Sequence, residues 1–370
     1  MKTNFKVIIL SLLLVVSCSN SNNNKKSNNI QANIDIPLTE NEKLYNYEVV
    51  YFMSDSGEYV SSALTYNTNN LGTIVYTDSN QNSVTFNVER IGELDEGSIS
   101  AVSYDDKTLD GNIPNILYPF DAKIDGKEII FNSVKSSVTG ARIIEYTYTN
   151  ISPNRDNIFE YKNSIFVLNN ENNSETINKI NMDINKEFSI TDAASFNDLE
   201  SLLKKENIIS NKMNTYYDEW VNSDYIANTS EDLSQYCINY LSEKFISINR
   251  FIYEYTGGAH GTYATVYSVY SLENGNKLKI EDLITDLKNT DLLNLIKDKL
   301  LKIDGRDKRS YFDLNELSLE NNNFYITQNG LVFTWGIYEI GPYSIGETRV
   351  LIPTEEIKPY LKDEYKTIFE

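Results

Sequence analysis

QYCINYLSEKFISINRFIYEY, residues 235–255, alternates Tyr, Ile and Phe with polar residues and reads as a β-hairpin. A strand is expected on its far side at Tyr263–Leu272, and Asn274-Gly275 turns that strand back into Lys277–Ile280. Further along, Phe324–Thr327, the turn Gln328-Asn329-Gly330 and Leu331–Trp335 form another hairpin, with Thr348–Ile352 as a last strand. Helical spacing interrupts these strands. Ile177, Ile180, Ile184 and Phe188 predict a helix over Ser174–Phe188. Leu199, Leu202, Leu203, Ile209, Met213, Tyr216, Tyr217 and Trp220 predict a second, with Ser195 as its cap and Asp198 in its first turn. A third is expected from Thr290, as cap, to Ile303, with Leu292, Leu293, Ile296, Leu300 and Ile303 on its buried side. Thr354 is read as the cap of a short final helix. Strands and helices mix without a regular βαβ alternation, so the C-terminal half is expected to be α+β, an antiparallel sheet with helices.

Upstream the character is different. Glu48–Met53, Ser61–Tyr66, Thr73–Thr77, Val84–Ile91, Glu128–Val134 and Arg142–Thr149 are short alternating runs separated by turn chemistry such as Asp55-Ser56-Gly57 and Asp125-Gly126. An all-β antiparallel domain is expected here, more irregular over 92–120, where Pro114 and Pro119 fall. The expected organisation is a signal peptide at 1–17, a tether at 18–40, an all-β domain at 41–140, an α+β domain at 141–255 and a C-terminal module at 256–370.

The N-terminus reads as an export signal. Lys2 and Lys6 precede an apolar run from Val7 to Val16, too short to span a bilayer comfortably. The run ends in Val15-Val16-Ser17-Cys18, the pattern of lipoprotein processing, which would leave Cys18 acylated at a new N-terminus. Stable anchoring needs two or more acyl chains (palmitate, for example). Ser19–Asn29 is Ser, Asn and Lys, with nothing to bury. The expected location is the cell envelope, periplasmic or surface-exposed, with the folded mass outside the cytoplasm.

Net charge is −20, and removing Lys2 and Lys6 with the signal leaves 31 bases against 53 acids. Nucleic acid is not an expected partner, because it needs clustered Lys and Arg to displace counterions. A cationic partner would be attracted. With Cys18 lipidated, Cys237 has no intramolecular partner and reads as a buried thiol. His260 is the single histidine, which excludes zinc sites that need two or three. No catalytic residue, metal or cofactor is expected.

The sharpest local feature is Tyr253-Glu254-Tyr255-Thr256-Gly257-Gly258-Ala259-His260-Gly261. Three glycines beside the one histidine indicate an unusual backbone path between two strands. Two readings stand: a structural corner fixed by the His side chain, or a contact loop on a rigid sheet. Gly257–Gly261, the following strand, and Asn274-Gly275-Asn276-Lys277-Leu278-Lys279-Ile280-Glu281-Asp282-Leu283 resemble the C-terminal extracytoplasmic domain of RsiV-type anti-sigma factors, a domain also found beside PdaC-type peptidoglycan deacetylases. Leu331-Val332-Phe333, Tyr338-Glu339-Ile340-Gly341-Pro342-Tyr343 and Gly346, then Val350-Leu351-Ile352-Pro353, are similar to that family's second block. The resemblance covers roughly 250–361 and implies a binding or recognition module. It does not carry over the sigma-binding segment, the transmembrane helix or the metal-binding histidines of those proteins.

The expected function is that of a membrane-anchored envelope lipoprotein with a non-catalytic binding module, for a cationic lysozyme-like protein or a cell-wall glycan. Gly257, Gly258, His260, Gly261, Tyr338, Glu339 and Tyr343 are the candidate contacts. Two alternatives remain: a peptidoglycan-acting hydrolase, built on His260 or on Glu339 paired with Glu347 or Asp282, and a structural lipoprotein without a soluble ligand.

Overall fold

The computed structural model describes residues 42–64, 70–90, 98–103, 106–112, 120–138, 140–151, 158–170, 174–188, 214–219, 222, 229–255 and 259–369. The signal, Cys18, the tether, Gly257 and Gly258 lie outside these residues, as do Ser195, Asp198, Trp220 and the first part of the second helical stripe.

Eight strands come first: β1 Glu42–Met53, β2 Tyr59–Leu64, β3 Asn70–Thr77, β4 Ser83–Arg90, β5 Ser98–Ser103, β6 Thr108–Asn112, β7 Phe120–Ile124 and β8 Lys127–Ser133. Each pairs antiparallel with the next. β8 then returns to β1, with Phe52 opposite Ser133 and Met53 opposite Asn132, so the meander closes as an eight-stranded barrel. Strand side chains alternate between faces, and one face of every strand supplies the interior: Val50, Phe52, Val60, Ile74, Tyr76, Val84, Phe86, Ala101, Leu109, Ala122, Ile124, Ile129 and Phe131 form one buried cluster. A barrel of eight strands is just wide enough for side chains to fill it. Three of these strands, β5 to β7, fall in or beside the stretch expected to be irregular. In β6 and β7 the outward Asp110, Asp121 and Lys123 occupy runs of only five residues, too short for the alternation to stand out.

Beside the turn between β1 and β2, the barrel buries one carboxylate. Glu58 accepts from Tyr76 Oη at 3.1 Å, Ser56 Oγ at 2.9 Å and Lys127 Nζ at 2.5 Å. Burial alone would push this carboxyl up, but the bonds from Lys127, Ser56 and Tyr76 outweigh it and hold Glu58 below the ordinary glutamate range.

β1 is longer than its barrel partners. Its first half, Glu42–Val49, pairs with β9 Ala141–Ile151 and carries the sheet out of the barrel. β10 Ile158–Leu168, β11 Thr229–Leu241, β12 Phe245–Tyr255, β13 Thr262–Ser271 and β14 Lys277–Leu278 follow in order. The hairpin expected at 235–255 is β11 and β12, with a bulge at Ile238/Tyr240. The sheet is antiparallel except at one place: β10 and β11 run parallel, and only over Ile158–Lys162.

Beyond that point a helix substitutes for the missing strand. α1, Glu175–Ile184, is capped by Ser174 and lays Ile177 and Ile180 on the sheet. Its Asn181 donates to the carbonyl of Leu168 at 3.0 Å and accepts from the same residue's N–H at 2.8 Å. Asn185 does the same for Phe166, at 2.8 and 3.3 Å. The two amides satisfy backbone groups that would otherwise be buried without partners.

The opposite face of β11–β13 is covered by a three-stranded antiparallel sheet, β15 Asn323–Thr327, β16 Gly330–Trp335 and β17 Thr348–Pro353. Tyr325 stacks on Tyr267 with ring centroids 4.5 Å apart, and Asn323 Nδ2 donates to the carbonyl of Thr265 at 2.7 Å. α2 Ile280–Leu283, α3 Thr290–Leu300 and α4 Thr354–Ile357 complete this core, with Leu292, Ile296, Leu300 and Ile357 fully buried. Two caps differ from expectation. Asn289, not Thr290, caps α3, because its side chain accepts from both Asp291 and Leu292. Thr354 is the first residue of α4, and Pro353 precedes it without a side-chain cap bond. The architecture is α+β, a large sheet with helices and a second sheet.

Barrel and sheets form one compact unit. Tyr59 and Ser61, on the barrel's outer face, accept from Asn239 Nδ2 at 3.2 Å and from the Ile238 N–H at 3.1 Å. Tyr325 Oη donates to Gln81 at 3.3 Å, and Arg349 reaches Ser83 at 3.4 Å. The boundaries expected at 140/141 and 255/256 both fall along one continuous sheet. Cys237 is buried at this junction, and desolvation pushes its thiol up to about 11.

Candidate functional site

The segment after β12 returns to the sheet through Gly261, whose Cα faces the ring of Tyr253. A Cβ there would lie 2.5 Å from the tip of that ring, so any other residue would have to displace Tyr253. This brings His260 beside the loop between β16 and β17. The imidazole stacks on Tyr343, with centroids 3.9 Å apart and planes 24° apart. Both side chains reach the carbonyl of Gly261, Tyr343 Oη at 2.9 Å and His260 Nδ1 at 3.0 Å. A carbonyl only accepts, so Nδ1 carries the hydrogen and the neutral ring keeps its lone pair on Nε2.

Three more residues complete the cluster. Tyr338 lies 5.8 Å from Tyr343, 56% exposed, on a backbone with φ of +67°. Tyr263, the second residue of β13, meets Tyr343 edge-on at 6.0 Å, and its hydroxyl accepts from the N–H of Glu347 at 3.3 Å. Gly346 lets Tyr263 come so close: its φ is +66°, and a Cβ there would sit 2.9 Å from the hydroxyl. The result is an aromatic surface at one rim of the molecule, with His260 and Tyr338 outermost and Tyr343 half-buried between them.

The expected site residues therefore divide. His260, Gly261, Tyr338 and Tyr343 come together. Glu339 is next to them, but Oε2 accepts from the N–H of Gly336 at 2.8 Å and closes the turn that presents Tyr338. Tyr263 belongs to the cluster and was not among the expected residues. Its only signal in the sequence is its position two residues after Gly261.

The carboxylates considered for hydrolysis each hold a local structural bond. Glu347 accepts from Tyr267 Oη at 2.9 Å and Arg349 Nε at 2.5 Å. Burial works against the Arg349 charge, but Tyr267 and Glu347 hold its proton above the ordinary arginine range. Asp282 accepts from the Lys279 N–H at 2.8 Å at the start of α2. It also lines a mixed-charge cleft of about 380 Å³ with Lys179, Asp183, Lys277 and Tyr365, where Asp183 is bound by Tyr270 Oη at 2.8 Å. Among the described residues, no group of three or more His, Cys, Asp and Glu could hold a metal ion, and no helix is long and apolar enough to cross a membrane.

Residues 281–355 match the family described as DUF3298, a protein of unknown function. Residues 153–263 match the family described as deacetylase PdaC. Together these matches point to an extracellular, envelope-associated module. The aromatic cluster is built where they meet: His260 and Tyr263 lie in the PdaC-like segment, Tyr338 and Tyr343 in the DUF3298-like one. The barrel lies outside both. Among solved structures, the chain is similar to a DUF3298 family member from Bacteroides fragilis, at 17% identity and a TM-score of 0.48, over 62% of this chain and 97% of that one. It is also similar to a DUF3298 family protein from Pseudomonas aeruginosa, at 14% identity and a TM-score of 0.40, over 60% and 94%. No curated protein sequence matches the chain.

Proposed function

We propose that this protein is an envelope lipoprotein, anchored through Cys18, whose PdaC-like and DUF3298-like segments form a non-catalytic recognition module like that of RsiV-type proteins. The observation that carries this reading is the aromatic surface of His260, Tyr338 and Tyr343, assembled across the two segments on a rigid sheet rim. Exposed tyrosines offer a flat apolar face and a polar tip, which suits a protein or a sugar. The net charge of −20 favours a cationic protein such as a lysozyme-like hydrolase and steers it at low salt. The alternative partner is cell-wall glycan.

Calorimetric titration with a basic lysozyme, at low and at physiological salt, and co-sedimentation with purified cell wall test this reading together. Saturable binding to either partner that survives physiological salt and weakens in Tyr343→Ala, with the melt of that variant recorded alongside, is the expected result. Binding to neither, or only weak binding abolished by salt, would overturn it. Labelling of growing cells with a palmitate analogue tests the anchor: label is expected in the wild type and absent from Cys18→Ala.

A further inference from the structure

Resting on the recognition reading, we propose that the partner at this surface is a neutral glycan, with Tyr338 as the stacking platform and His260 Nε2 as acceptor for a sugar hydroxyl or amide N–H. Three observations converge on that chemistry. Tyr338 is presented by the turn at Gly336–Glu339 on a backbone of positive φ, touches Tyr343 with ring centroids 5.8 Å apart, and is still 56% exposed as a residue. The chain neighbours of the cluster, Ala259, Thr262, Pro342 and Ser344, are exposed as well. A protein hot spot needs a pocket that excludes water around its anchor, and Tyr338, more than half exposed, is not enclosed in one. A pyranose needs a flat apolar face for its C–H groups and directional polar atoms at the edge of that face.

The polar atom has a fixed direction. Gly261 accepts from His260 Nδ1 and Tyr343 Oη, so the imidazole is pinned at one nitrogen and stacked on one face. With Nδ1 as donor, the neutral ring leaves Nε2 as the acceptor, on a residue that is itself exposed. A ligand that supplies a donor there while lying on Tyr338 meets both requirements without moving either side chain, which keeps the ordering cost low. An acidic chain would repel an anionic polymer, so among glycans the matching one is uncharged, of the N-acetylhexosamine type.

The test is calorimetric titration of the full-length chain in detergent micelles with tri-N-acetylchitotriose, beside the same titration with a basic lysozyme. The trisaccharide is expected to bind at physiological salt. Tyr338→Ala should weaken it by about tenfold or more, whereas Tyr338→Phe should retain most of the affinity. His260→Phe, which keeps the stack and removes Nε2, should weaken it by about threefold to tenfold. Tyr338 is exposed, so Tyr338→Ala should fold, and its melt confirms this. If lysozyme binds and the trisaccharide does not, the glycan assignment fails and the recognition reading survives. If neither binds, both fail. Trisaccharide binding that is unchanged in Tyr338→Ala and His260→Phe places the sugar elsewhere and overturns the proposal.

Discussion

The barrel and the C-terminal sheets solve the same problem in opposite ways. In the barrel each strand turns one face inward, the meander closes on β1, and a buried carboxylate, Glu58, sits beside the β1–β2 turn. The C-terminal region instead stacks one sheet on another and leaves a rim, where β12, β13 and the loop before β17 expose His260, Tyr338 and Tyr343. Closure pairs every strand edge within the barrel, while stacking creates ends at which side chains from distant segments meet. The aromatic cluster of His260, Tyr338 and Tyr343 is built at such an end.

The comparison can be broken most sharply by emptying each core in turn. Phe131→Ala in the barrel and Phe333→Ala in the second sheet each remove a fully buried ring and should cost about 3 to 5 kcal/mol. Because β1 belongs to both regions, both substitutions are expected to lower one shared calorimetric transition. Two transitions that move separately would mean that the halves unfold independently.

A smaller effect is expected at the contact between them. Arg349 joins Glu347 beside it to Ser83 on the barrel, with its guanidinium over the ring of Tyr267. Arg349→Ala leaves the buried Glu347 without its cation and should cost about 3 kcal/mol in urea unfolding. A loss confined to a few tenths would show that the junction does not depend on Arg349.

Smallest is the contribution of Glu58, which is also the one that depends on pH. Its folded pKa lies below its unfolded value, so its stabilisation is complete above the ordinary glutamate range, about 4.3, and is lost as pH falls through the folded value. Charge-assisted bonds of this kind contribute about 1.5 to 3 kcal/mol. Melts between pH 3 and 7 should show wild type and Glu58→Gln converging in acid, with the wild type more stable near neutrality. Parallel curves would remove Glu58 from the barrel's stability.

Much of this fold was legible in residue patterns, and the parts that were not share a cause. The hairpin at 235–255 and the strands at 48–53, 73–77 and 324–335 carry strong alternation and lie where it placed them. β10 has no expected counterpart, because its alternation stops halfway: every residue from Asn163 to Leu168 is buried, polar ones included. The parallel join of β10 to β11 has no local signature, since the partners are separated by residues 169–228. Nor do the amides of Asn181 and Asn185, whose partners lie on another element. At the site, the glycines around His260 marked the loop, and the block from Tyr338 to Tyr343 marked the facing segment. Their union through the Gly261 carbonyl is a tertiary fact that spacing along the chain cannot express.

The shared strand β1 also sets an order of events in time. It is the first strand among the described residues, yet Glu42 must wait for Tyr148 and Met53 for Asn132 before its ladders are complete. A barrel whose leading strand is closed by its last keeps an open seam until all eight strands have been made, and distant pairings of this kind fold slowly. For such a chain, a holding factor that shields the leading strand would matter more than one that hastens any single turn.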